Sequence, residues 1–121
     1  MDAKGWKKRI KAQCIAAETY KDAFIPTIQA LAEILEQRDI AYQQYIDDGA
    51  QPCITRTSDR GAENLAKNPR LVVWMDLNAQ ALTYWRDLGL TPSGLKKLDD
   101  QALKAKKRSS LAEALRDIGL N

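Results

Sequence analysis

A chain of 121 residues, 45% apolar and 29% charged with a net charge of +3, has the make-up of one soluble domain with a modest core, for which partner subunits are a natural source of further stability. Its longest wholly apolar run, residues 71–75, is far too short to cross a bilayer, and the basic start MDAKGWKKRIKAQ lacks the apolar stretch of a secretory signal, so the chain reads as cytoplasmic. It has no histidine, no Cys-x-x-Cys pair and no glycine-rich phosphate loop, which removes the commonest general base, metal ligand and nucleotide fingerprints and leaves Cys14 and Cys53 as reduced thiols.

The first element in chain order is a basic helix over residues 1–20. Trp6, Ile10, Cys14 and Ala17 recur at helical spacing, and Lys7, Lys8 and Lys11 fall mostly off that stripe. Residues 1–11 carry Lys4, Lys7, Lys8, Arg9 and Lys11 against Asp2 alone. Lys21-Asp22 reads as a break with Asp22 as a cap, and Pro26 fits the first turn of a second helix over 23–47. That helix carries Phe24, Ile28, Leu31, Ala32, Leu35, Tyr42, Tyr45 and Ile46 in one stripe. Residues 12–50 hold only Lys21 and Arg38 against seven acids, and Asp47-Asp48-Gly49 ends the helix.

The connector 49–68 loses the helical period. Cys53-Ile54-Thr55-Arg56-Thr57 leans to strand and Ser58-Asp59-Arg60-Gly61 is turn chemistry, which predicts a small β-hairpin or ordered loop. Asn68-Pro69 then restarts a helix, Asn as cap and Pro at the first position. Trp74, Leu77, Ala81, Trp85 and Leu88 form its seam, with Leu71, Met75 and Leu82 beside it. Two long amphipathic helices around a short connector predict an antiparallel helical hairpin, residues 21–88. Gly89 closes the helix, and Thr91 and Pro92 start the next within a turn over 89–98. Residues 96–108 are basic: Lys96, Lys97, Lys104, Lys106, Lys107 and Arg108 face only Asp99 and Asp100. The reading here is a short helix running into a basic linker, then a short amphipathic tail helix opened by the capping box from Ser110 to Glu113, with Leu111, Leu115 and Ile118 on one face. Residues 1–98 are thus expected as one helical domain and 99–121 as linker and tail.

Lys67-Asn68-Pro69-Arg70-Leu71, a Leu/Ala/Trp-rich helix and then Leu88-Gly89-Leu90-Thr91-Pro92-Ser93, in that order and spacing, resemble the phage terminase small subunits over roughly residues 20–98. The resemblance implies a mainly α, ring-forming oligomer without a catalytic centre or cofactor. It implies a homo-oligomer that binds double-stranded viral DNA in the cytoplasm of the host bacterium and brings it to the terminase large subunit, which carries the ATPase and nuclease. On this reading Leu31, Leu35, Tyr42, Trp74, Leu77 and Trp85 are expected at the oligomer interface. DNA falls to Lys7, Lys8, Arg9 and Lys11, or to Lys96, Lys97, Lys104, Lys106, Lys107 and Arg108, since basic clusters favour polyanions. Leu111, Leu115 and Ile118 are expected to dock the large subunit.

Two other classes are weighed against this one. A small dimeric helix-turn-helix regulator would explain the Gly89–Pro92 corner, but Pro92-Ser93-Gly94-Leu95-Lys96-Lys97 offers base edges little beyond lysine. A Mg²⁺ nuclease would need paired acids, and the only adjacent ones, Asp47-Asp48 and Asp99-Asp100, sit where solvated or capping acids are far commoner. Trp74, Tyr84 and Trp85 read as core or subunit interface rather than base-stacking platforms.

Overall fold

Ile10, Cys14, Ile28, Leu31, Leu35 and Leu88 have almost no solvent exposure, and they come from three helices that meet in one core. A computed structural model describes residues 1–119. Its elements run α1 (Ala3–Ala16), a 3₁₀ turn (Asp22–Phe24), α2 (Ile25–Asp47), β1 (Cys53–Thr57), β2 (Glu63–Lys67), α3 (Pro69–Asp87) and α4 (Pro92–Asp117). Helix α2 is central, with α1 and α3 both packed on it. The α2–α3 pair is the expected helical hairpin. Each core leucine or isoleucine withdrawn from water contributes about 1.5–3 kcal/mol, and α2 supplies three of them: Ile28, Leu31 and Leu35.

Local chemistry sets the element ends. Asp2 caps α1 by accepting from the Gly5 N–H at 2.8 Å. That helix stops at Ala16 rather than near Tyr20, because Glu18 takes a left-handed φ of 60° and the Thr19 N–H folds back to the Cys14 carbonyl at 2.9 Å. Asp22 does not cap: it lies inside the 3₁₀ turn, whose preceding residue makes no side-chain capping bond. Pro26 occupies the first turn of α2 as expected. Asn68 caps α3, accepting from the Arg70 N–H at 3.0 Å, while its amide donates to the Gln51 carbonyl at 2.9 Å and its N–H to the Pro52 carbonyl at 2.8 Å. One buried side chain therefore starts α3 and ties the base of the β-hairpin. Arg70 pairs with Asp48 across the same junction. The hairpin is antiparallel, with Cys53 opposite Lys67 and Thr57 opposite Glu63.

The C-terminal expectation needs correcting. Residues 99–117 are not a linker and a separate short helix; they belong to the single 26-residue α4, with Ile118 at its C-cap. The chain has no glycine or proline between Gly94 and Gly119, and Ala, Leu, Lys, Arg, Gln and Glu are the strongest helix formers. The Ser110 capping-box pattern therefore lies in a helix interior. The expected tail also includes residues 120–121, which lie outside the described residues.

Arg38 joins the three helices. Its guanidinium lies 5.6 Å from the Trp6 ring of α1 and 5.7 Å from the Trp85 ring of α3, and it donates to Asn78 Oδ1 at 3.1 Å. Asp39, beside it, accepts from Trp6 Nε1 at 2.7 Å, and Glu36 accepts from the Ala3 N–H at 2.6 Å. Acids from α2 thus meet the positive end of the α1 dipole. Replacing Arg38 by Ala removes two cation–π contacts, the hydrogen bond to Asn78 and a 3.4 Å ion pair with Asp39 and is expected to cost about 2 kcal/mol. Arg38→Lys should restore less than half, because an ammonium lacks the flat stacking fork. Thermal melts of both variants read this directly; full recovery with Lys would mean charge alone holds the junction.

Candidate nucleic-acid interface

Helix α4 starts where α3 ends. Gly89 takes a φ of 73°, Thr91 Oγ1 accepts from the Gly94 N–H at 3.1 Å, and Pro92 sits in the first turn. Gly94 is buried, and a methyl group there would overlap the Arg86 carbonyl oxygen and lie 2.9 Å from Thr91 Oγ1. The close crossing sets the direction in which α4 leaves the body. Leu98 is the last partly buried residue; from Asp99 onward every described residue of α4 is exposed.

At 3.6 residues per turn, Lys96, Lys97, Lys104, Lys107 and Arg108 fall within about 120° of the helix surface. Lys106 turns to the side and Asp100 lies inside the stripe. Ser93, Lys96, Lys97, Asp100, Gln101 and Lys104 form one shallow patch. Lys97 also borders a groove with Arg86 of α3. Arg86 extends the basic surface and was not singled out by sequence, because its nearness depends on the corner. The same face of α4 continues into Leu111, Leu115 and Ile118, which are 62%, 39% and 67% exposed. Basic stripe and apolar patch are two ends of one face.

On α1, Lys7, Lys8 and Lys11 share the outer side with Lys4. Arg9 turns instead toward Trp6, 5.5 Å from its ring, and Lys11 Nζ lies 5.1 Å from the Tyr20 ring. These aromatic contacts hold two of the four expected cations against the body.

The residues expected at a subunit interface divide. Leu31 and Leu35 are fully buried within the single chain and are not available to a second one. Leu77 is half-buried, and Trp85 is half-buried against Arg38. Tyr42 is 47% exposed and its ring centroid lies 5.8 Å from that of Trp74. On the same two helices, Ile46, Met75 and Leu82 remain 41%, 55% and 45% exposed. Arg38 itself was missed by sequence, although it falls at helical spacing between Leu35 and Tyr42, a cation inside an apolar stripe.

Of the paired acids, Asp48 is engaged by Arg70 and Asp47 accepts from Gln43 at 2.8 Å, while Asp99 and Asp100 are exposed on α4. Among the described residues no group of three Cys, Asp or Glu side chains is placed to hold a metal ion, and no helix is long and apolar enough to cross a membrane. Burial pushes the Cys14 thiol above its ordinary range, with a hydrogen bond from Thr19 opposing part of the rise, so it is a core residue rather than an activated nucleophile.

A family model described as phage terminase, small subunit, matches residues 3–105. No curated protein and no solved structure matches the chain.

Proposed function

The chain belongs to the phage terminase small-subunit family, whose role is in viral DNA packaging, and we propose on that footing that it is a non-catalytic adaptor that assembles into a ring, binds double-stranded viral DNA and presents it to the terminase large subunit in the host cytoplasm. The observation that carries this reading is α4: a long helix, exposed throughout beyond Leu98, with five exposed cations on one face. Lysines and arginines in such a stripe meet phosphates without reading sequence. The α1 cations Lys7, Lys8, Arg9 and Lys11 are the secondary contact. Leu111, Leu115 and Ile118 offer the large subunit an exposed apolar edge. Tyr42 and Trp74, with the exposed Ile46, Met75 and Leu82 of the same two helices, form the contact between neighbouring copies, since exposed apolar surface of this kind marks interaction sites.

Light scattering on a sizing column, with and without duplex DNA, tests the reading. One uniform particle of many copies that retains duplex at low salt and releases it at high salt is the expected result. A monomer or dimer at every concentration overturns the ring, and failure to retain any duplex at low salt overturns the adaptor.

A further inference from the structure

Resting on the DNA-binding reading above, we propose that the β1–β2 hairpin is a second DNA element, a ribbon that enters the major groove and reads base edges. Among the described residues the hairpin's hydrogen bonds to the body are made at its base, through Asn68, and its strands pack chiefly on each other. All its residues except Ile54 and Ala66 are exposed. The register places Arg56 directly opposite Asn64, so the two side chains stand on one face about 5 Å apart. Among the described residues neither makes an ion pair or a side-chain hydrogen bond. These two residue types pair bidentately with guanine O6/N7 and adenine N6/N7, and their spacing suits neighbouring base pairs about 3.4 Å apart. Arg60 lies in the connecting turn, ahead of both, while Glu63 belongs to the opposite face.

The dimensions agree. Five residues of strand extend about 16 Å, against a major groove about 8.5 Å deep and 12 Å wide that admits a two-stranded ribbon. Helix α4, by contrast, offers mostly lysine. The division of labour is that α4 holds any duplex and the hairpin selects one.

The test uses the full chain. Wild-type protein is put through a selection on a random duplex pool, and affinity is then measured for the enriched duplex and a scrambled one. Wild type is expected to prefer the enriched duplex by about 30-fold or more. Arg56→Ala with Asn64→Ala should bring that ratio close to one, while affinity for the scrambled duplex stays within a few-fold. Arg56→Lys, which keeps the charge and the strand, should also lose discrimination against changes at guanine. Discrimination that survives both variants overturns the proposal, as does a wild type that binds duplex but enriches nothing. A changed particle mass in the variants would make the hairpin a contact between copies instead. No duplex binding by wild type would overturn the underlying adaptor reading itself, a result distinct from all of these.

Discussion

Replacing Lys96, Lys97, Lys104, Lys107 and Arg108 together by Glu is expected to weaken binding to random-sequence duplex about a thousandfold at roughly 0.1 M salt. The five cations share one face of α4 and are all exposed, so their loss removes phosphate contacts without removing core. Each contact that neutralises a phosphate releases a condensed counterion. Five of them lower the slope of log affinity against log salt by about 4.5. Glu is as good a helix former as Lys, so circular dichroism should report the helix intact. The equivalent change at Lys7, Lys8, Arg9 and Lys11 is expected to lower the slope by only about 2, because Arg9 and Lys11 rest against Trp6 and Tyr20. The measurement is a salt titration of both variants. If charge reversal of both blocks leaves binding intact, neither face is the DNA interface.

Gly94→Ala is expected to cost about 3 kcal/mol and lower the melting temperature by roughly 10 °C. The obstacle to a methyl group is the Arg86 carbonyl, which is backbone and has no rotamer to change. The helix-propensity gain of Ala over Gly, about 1 kcal/mol, offsets only part of this overlap. The neighbouring Ser93→Ala, on an exposed position, should stay within about 0.5 kcal/mol. Calorimetry of the two variants decides it. Equal melting temperatures would mean that α4 can move away from α3 at little cost, and the direction of the arm would then not be fixed by this crossing.

The corner was legible in the sequence because its chemistry is local. Asn68-Pro69 and Gly89-Leu90-Thr91-Pro92 each act on backbone groups two or three residues away, and the structure uses each in the expected way. The linker expected after residue 98 is absent: a dense basic run suggests mobility by charge, whereas backbone continuity depends on breakers, and none lies between Gly94 and Gly119. A helical stripe shows that a face is covered but not by what. Leu31 and Leu35 are covered by the chain's own helices, while Tyr42, farther along α2, remains half open. Arg38 could not be placed at all without Trp6 and Trp85, which approach it from helices 32 and 47 residues away in sequence.

Because α4 is unbroken, Lys104, Lys107 and Arg108 keep a fixed azimuth relative to Leu111, Leu115 and Ile118. A flexible tether would let each set find its ligand independently; a continuous helix phases them. Two residues added between Arg108 and Leu111 would rotate the apolar end by about 200°, to the far side of the helix, whereas seven would bring it nearly back into line. Joint engagement of both ends should therefore vary periodically, not steadily, with the length of the insertion.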